Sequence, residues 1–497
     1  MVLIRMHRFS IRTLCLLAWI GPALGNAAGA PQRAFPNCVA GELAGQGGPA
    51  LAGRYPRHAA GWGPEAGNGI FISRWAEHWA SQCAAGYAPP FKAIRLGGAS
   101  SLTLSAEARL RYDAYDNRQL ASENDERQVL FRGVLGAHLR LDPHLRLFGE
   151  VGTGQVTSER ARAMPNFQNK AALQQLFVDY RIGTGAAVLG AMVGRQEYAD
   201  GPRQLMSLSD GPNLHRTWNG TRLYAHGPNA RVGAFVLRAT RPGRGAFDEQ
   251  INRGERLTGV NGSVVLSPGQ KDNTYLDPFW LRSTSQTGRV GGASGLERRD
   301  TVGARLWGRR GKLRFDWTLA HQSGHFMDRK VDAWGVFAVH SLVLSDENWK
   351  PRLTTHIDIA SGGGAYGTGT VRDFNHLYAS SNYLGEGQFL SLSNLLMIAP
   401  GIALSPTSKT NLSFEYGFAR RLSEDDAAYA GAMRPYAGTR NVPGQAIGTL
   451  VRAVGTWSAS ENVTVFFNIE RLLADDVLKR AGFASGSYAT MGATFRY

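Results

Sequence analysis

Arginine and carboxylate side chains recur at alternate positions along this chain. In SAEARLRYD, Glu107, Arg109, Arg111 and Asp113 fall on one face, while Ala106, Ala108, Leu110 and Tyr112 fall on the other. A guanidinium presents a planar fork of donors that holds both oxygens of a carboxylate or phosphate. A face that repeats arginine is therefore a surface for anions. The same texture places Arg132, Arg140, Arg181, Arg195, Arg305, Arg314, Arg352 and Arg452 on polar faces, with Asp179, Asp316 and Asp358 among them. These arginines, with Arg109 and Arg111, are the candidate anion-binding residues. Glu107, Asp113, Asp179, Asp316 and Asp358 are the acids that would compete for them and set selectivity or gating. Each arginine has two readings: it receives an anionic ligand, or it satisfies a neighbouring acid and stiffens the fold. The net charge of +16 is an excess of cations that favours the first.

Alternation of this kind needs strands. LQQLFVDYRIG sets Leu176, Val178, Tyr180 and Ile182 against Gln175, Asp179 and Arg181, then turns at Gly185 into AAVLGAMVGRQ and returns as TWNGTRLYAHG. RFDWTLAHQ sets Phe315, Trp317 and Leu319 against Arg314, Asp316, Thr318 and Gln322, and PRLTTHIDIA and NVTVFFNIE repeat the pattern. Period-two alternation reads as β-strand. About 18 such segments follow one another, an even number as in bacterial barrels. Links at residues 117–125, 157–170, 197–215, 241–254, 284–298, 361–388, 422–446 and 473–485 read as long, and 323–330 as moderate. Those between them, such as 142–143, 183–185, 227–229 and 309–311, read as short. Long and short links in alternation fit an up-and-down barrel with short periplasmic turns; a Greek-key sandwich has no reason to alternate so. The final SYATMGATFRY ends on an aromatic residue, and closure of the barrel removes the exposed edge it would otherwise leave. The expected fold is all-β, a transmembrane antiparallel barrel with its apolar face to lipid and its charged face to the lumen. A lumen lined with arginine is anion-selective.

Residues 1–28 read as a secretory signal peptide: Arg5, Arg8 and Arg12 precede a short apolar run at 14–24, with cleavage after Gly25, Ala28 or Ala30. Export leaves the mature chain strongly basic and argues against nucleic acid as its partner; acidic polysaccharide or lipopolysaccharide phosphates remain. Residues 29–99 read as a short periplasmic segment, one that could meet a periplasmic export partner, and 100–497 as the barrel, expected to be monomeric. Cys38 and Cys83 form an even pair in an oxidising compartment, and a disulfide between them is expected. SRWAEHWASQ is expected to form a short helix capped by Ser73. His78 beside Cys83 lacks paired ligand spacing and reads as packing.

No catalytic constellation emerges. Gly362, Gly364 and Gly367 fit G-x-G-x-x-G, but no helix pattern follows, so they read as a glycine-rich loop. Asp425 and Asp426 read as solvated loop acids without a partner base. No cofactor or metal is expected, and enzymatic activity is not.

VGRQEYADG followed by WNGTRLY resembles the hallmark of the alginate export family of outer-membrane porins. LQQLFVDYRIG, FKAIRLGG with LSAEARLRYDAY, FNHLYASSNYLGEGQFLSLSNLL, PGIALSPTSKTNLSFEYGFARRLSEDDAAY and the closing TFRY resemble its other segments in order, over about residues 91–497. The resemblance implies an outer-membrane channel that carries an acidic polysaccharide such as alginate outwards through an arginine-lined constriction, with uptake of small anions as the alternative. It places Arg195 and Gln196 at a lumenal strand end and Asn219 and Arg222 on the strand after the loop. Asn219 stands where the family pattern carries an acid.

Overall fold

The computed structural model describes Tyr55 and residues 69–79, 89–184, 187–267 and 272–497. The expected signal peptide, Cys38 and Cys83 lie outside the described residues. Among the described residues, eighteen long antiparallel strands close into one barrel. They are β1 (Ser100–Asp116), β2 (Glu126–Arg140), β3 (Leu145–Val156), β4 (Asn169–Gly183), β5 (Val188–Gln196), β6 (Trp218–His226), β7 (Ala230–Arg241), β8 (Gln250–Val265) and β9 (Thr274–Val290). The second half comprises β10 (Ala293–Arg310), β11 (Leu313–Phe326), β12 (Arg329–Val343), β13 (Arg352–Ala360), β14 (Leu395–Thr407), β15 (Thr410–Arg420), β16 (Ala446–Ser458), β17 (Val463–Ala474) and β18 (Gly486–Arg496). No described helix is long and apolar enough to cross a membrane; the strands do so.

Each strand pairs with its sequence neighbours, and β1 pairs with β18 from Glu107↔Arg496 to Asp116↔Ser487. The main-chain N–H of Ala106 and of Tyr497 each donate to the other residue's carbonyl at 2.8 Å. Closure matters because an unpaired strand edge inside hydrocarbon would strand a row of N–H and C=O groups.

The alternation read from sequence is the alternation of burial. On β1, Glu107, Arg109, Arg111 and Asp113 are buried inside, while Leu110 and Tyr112 are exposed outside. Leu135 (64% exposed), Leu319 (60%) and Met491 (55%) belong to the same outward apolar surface. A contiguous apolar surface of this size demands a non-aqueous neighbour, and lipid supplies it.

Two links differ from expectation. Residues 284–298 form no long loop: β9 and β10 run on to Val290 and Ala293 and meet at Gly291 and Gly292. Residues 323–330 likewise belong to β11 and β12, joined at Met327 and Asp328. The outer faces of these hairpin ends carry charged and polar residues such as Arg298, His325 and Lys330, so the sequence there loses the apolar alternation that marks a strand.

Three long links fold inward. Residues 197–217, 361–394 and 421–445 contribute Leu205, Met206, Phe374, Tyr383, Phe389 and Tyr436 to one large apolar cluster inside the barrel. Asp426, expected to be solvated, is fully buried. It accepts from the Gly363 N–H at 2.8 Å and the Tyr429 hydroxyl at 2.7 Å, tying two of these links together. Asp425 is exposed as expected.

Residues 69–79 also lie inside. Ser73–Gln82 was expected as a helix; the described part forms only a three-residue turn, Arg74–Ala76. Ser73 caps nothing and donates instead to Glu197 at 3.0 Å. Trp75 is buried against Phe148, Phe177, Val188, Met192 and Tyr224, on the inner faces of β3 to β6. Arg74 pairs with Glu107 at 3.0 Å and Glu150 at 2.7 Å. The segment is thus held in the lumen by charge and by an aromatic cage.

Deleting residues 495–497 removes the last β18 contacts with β1 and the Tyr497 seam. The shortened protein should lose the heat-modifiable folded band on cold SDS gels; full recovery of that band would show that closure does not need this strand end.

Candidate functional site in the lumen and its outer vestibule

The arginines of the barrel wall meet the inward links. Arg132 is almost wholly buried. Its guanidinium donates to Asp210 Oδ1 at 2.6 Å and Glu107 Oε1 at 2.9 Å, and to the carbonyls of Pro212 (2.8 Å), Asn213 (2.8 Å) and Asp210 (2.9 Å). Arg109 donates to the carbonyls of Asp210 (2.7 Å), Pro212 (2.8 Å) and Gly211 (3.3 Å). Both side chains clamp the 197–217 link against the wall. His215 completes the clamp, bridging Glu197 at 2.6 Å and Asp210 at 2.8 Å. Burial would raise the Asp210 carboxyl, but Arg132, the His215 bond and Arg109 outweigh it and hold it well below its ordinary value. Burial and Arg132 oppose the charged form of His215; Glu197 and Asp210 prevail and keep its pKa above the ordinary imidazole value.

Other predicted arginines are engaged as well. Arg111 binds Asp113 at 2.8 Å and lies 3.7 Å from Glu386. Arg305 forms a two-pronged contact with Asp316, at 2.7 and 2.6 Å. Arg452 lies between Glu415 (3.4 Å) and Glu470 (3.5 Å). Asp179 is taken by Arg146 at 2.6 Å, with the Tyr224 hydroxyl on its other oxygen at 2.8 Å. Asp358 accepts from the Tyr383 hydroxyl at 2.5 Å. Arg181 is buried on the inner face beside the 141–144 turn. Arg140 is buried inside at the β2 end. Arg314 and Arg352 stand near periplasmic turns, Arg314 exposed and Arg352 half-buried.

Arg195 does not face the lumen. It lies opposite Leu176, which is 47% exposed on the lipid side, and opposite Asn219. Its partners are Asn219 Oδ1 at 3.0 Å, the Leu173 carbonyl at 2.9 Å and Glu249 at 3.0 Å. Parity decides this: Leu189, Ala191, Val193 and Arg195 share one face, and only Gln196 turns inward. Asn219 shares the outer face, so the acid it replaces in the family pattern would not have lined the lumen. Arg222 is inward and pairs with Asp200.

Toward the long-link end the lumen opens into a cavity of about 470 Å³. Its wall includes Arg111, Arg118, Arg216, Arg434, Glu386, Tyr115, Tyr383 and Tyr488. Arg118 is spent on Glu126. Arg216 donates to the carbonyls of Tyr378 (2.9 Å) and Ser207 (3.3 Å), with its guanidinium over the Tyr378 ring. Among the described residues, neither Arg216 nor the exposed Arg434 has a carboxylate partner. The cavity's one acid is weakened: burial raises the Glu386 carboxyl, Arg111 opposes, and Glu470 and Asp113 add to the rise. His376 beside it is pushed down to about 4 by burial, with Arg216 adding, and is neutral. Guanidinium groups without a carboxylate partner at a cavity wall suit a carboxylated ligand. Arg216 and Arg434 sit in links, where no periodicity marks them.

No curated protein matches the sequence. Several solved barrels from Pseudomonas aeruginosa share the fold. OccK2 (OpdF), solved in complex with glucuronate, is 11% identical with a TM-score of 0.52, over 80% of this chain and 97% of that one. OpdO is 13% identical at 0.55, over 80% and 97%. OpdK, solved with vanillate, is 11% identical at 0.52, over 79% and 98%. At such identities the likeness is one of fold. The sequence profile of alginate export proteins matches residues 100–491, the whole barrel up to its last strand. The chain therefore belongs to the alginate export family, and it is an outer-membrane β-barrel channel.

Proposed function

We propose that the channel is anion-selective and exports an acidic polysaccharide, alginate or a related polyuronate, without catalysing a reaction. The observation that carries this is the outer vestibule, where Arg216 and Arg434 lack carboxylate partners and stand among tyrosines. The wall arginines serve a different end in this reading. They fix the inward links that shape the passage, and the links offer the polymer cations without carboxylate partners. The mix of charge along the lumen keeps each contact weak enough to release.

Uptake of small carboxylates is the second reading. Residues 69–79 narrow the periplasmic half, which suits a monomer better than a chain. The fold-relatives solved with glucuronate and vanillate hold ligands of that size.

Single-channel recording in planar bilayers separates these. The polymer reading requires anion-selective current that polymannuronate blocks. Anion-selective current indifferent to the polymer, yet blocked by glucuronate, selects the second reading. A cation-selective current sinks both. The R216Q/R434Q variant should weaken block roughly tenfold, the effect of losing one charge-assisted hydrogen bond to a carboxylate.

Arg74→Ala removes the ionic anchor of the lumenal segment. Conductance should rise, with more frequent open–closed flicker, if residues 69–79 narrow the path. Unchanged conductance would place the conducting route elsewhere.

The His215 clamp carries a pH sign. Its folded pKa lies above the unfolded value, so its contribution is complete below about pH 6.5 and is lost as pH rises through the folded value. Raising the pH past that point should increase channel noise and loosen protease protection of the 197–217 link, and His215→Gln should abolish the dependence.

A further inference from the structure

The outer wall carries its own charge pattern. Following register partners from strand to strand gives one continuous line: Arg195↔Asn219↔Arg238↔Arg256↔Thr284↔Arg298↔His325↔Lys330. The line crosses β5 to β12, and all its members share the outward parity. It contains no carboxylate. Arg238, Arg256, Arg298, His325 and Lys330 are exposed.

Directly opposed like charges destabilise a sheet, and Arg238 faces Arg256. Three of the acids nearby on the outer wall are already engaged, while Asp328 stands exposed at the β11–β12 turn. Glu249 pairs with Arg195, Asp300 with Arg282 at 2.7 Å, and Asp332 with His321 at 2.9 Å. Among the described residues, Arg238, Arg256, Arg298 and Lys330 have no carboxylate within ion-pair reach. The Arg238 guanidinium donates to the Arg253 carbonyl at 2.9 Å. On the opposite wall Arg127 pairs with Asp116, while Arg420 and Arg471 stand singly on separate strands.

The line also has a definite height. Toward the periplasmic turns, the same strands expose Val236, Val260, Val302, Leu319 and Trp334 to lipid. Arg256, Arg298 and Lys330 each precede such a residue by four positions, about 10 Å along the membrane normal at ordinary strand rise and tilt. Apolar side chains resume above the line at Ile251, Leu296 and Met327. The cations therefore form a belt at the outer boundary of the lipid-facing surface, where headgroups lie. Neighbouring strands are about 4.8 Å apart, so one phosphate can reach Arg238 and Arg256 together, and a second can reach Arg298.

We propose that this belt is a binding site for a phosphorylated glycolipid of the outer leaflet. Its phosphates would neutralise Arg238, Arg256 and Arg298, while its acyl chains would lie along the apolar face below. The site is on the outside of the barrel and owes nothing to the reading of the lumen.

The test uses full-length protein purified in a neutral detergent and titrated with diphosphoryl lipid A, then with its dephosphorylated form, reading bound lipid by native mass spectrometry. Wild type should retain the diphosphoryl form and bind the dephosphorylated form at least tenfold more weakly. The R238Q/R256Q/R298Q variant should lose roughly a hundredfold of that affinity, as expected for three cations near an anionic surface. R127Q should bind as wild type, and R238K/R256K/R298K should recover most of the affinity. Heat-modifiable mobility confirms that each variant is folded, and unchanged single-channel current separates this result from any failure of the lumen reading. Equal binding of both lipid forms would overturn the proposal. So would displacement by millimolar inorganic phosphate, which marks a site for free anions, or retention of full affinity by the triple glutamine variant. Dimerisation of lipid-free protein that the triple variant abolishes would also overturn it, assigning the belt to a second copy.

Discussion

A guanidinium cannot shed its charge, so one that leaves water must find acceptors for its donors. Arg132 shows what this imposes. It sits in the barrel wall, yet most of its acceptors belong to a link about eighty residues further along the chain. Pro212 and Asn213 offer carbonyls because a proline and an irregular turn leave them without strand partners. The wall needs acceptors and the link needs donors, and each satisfies the other. Removing one side would leave the other buried and unpaired, the costly case for a polar group. The inward fold of residues 197–217 follows from this mutual need.

The same bargain recurs around the lumen. Arg299 in the wall reaches the Asp373 carbonyl at 2.8 Å, and within the 421–445 link Arg421 gathers the carbonyls of Asp426, Thr439 and Gly444. Tyr383 returns a hydroxyl to Asp358 in the wall. Arg74 does for the N-terminal segment what Arg132 does for the link, taking up Glu107 and Glu150. Glu107 serves Arg74, Arg132 and Arg496 at 3.0, 2.9 and 2.8 Å. One carboxylate thus joins the N-terminal segment, the wall arginine that clamps the inward link, and the closing strand.

This explains what could be read from the chain and what could not. A strand's period is local, so β1, β4 and β18 were legible residue by residue, and so was the alternation of long and short links outside the β9–β10 and β11–β12 hairpins. The parity of Arg195 was legible too: counting on from Val193 puts it outside, although the polar texture groups it with the lumenal arginines and the motif places it at a lumenal strand end. The use made of each arginine was not legible. That depends on partners such as Asp210 and Pro212, set by how links fold back, and sequence spacing carries no trace of it. Arg216 and Arg434 were invisible for the same reason. The hairpin ends of β9 to β12 were hidden because their outer faces are charged and polar while their inner faces pack on the folded links.

The distribution of charge then takes on a simple order. Inside the wall, cations and acids are matched, and the matching builds the passage. The excess that gives the chain its net charge is left where matching stops. Arg216 and Arg434 stand in the vestibule, and Arg238, Arg256, Arg298 and Lys330 stand on the outer wall. A protein that only needed stability would gain nothing from cations opposed to one another, as Arg238 and Arg256 are. Unmatched charge at two separate surfaces is a cost in the isolated chain, and it becomes favourable only when each surface meets an anion of its own.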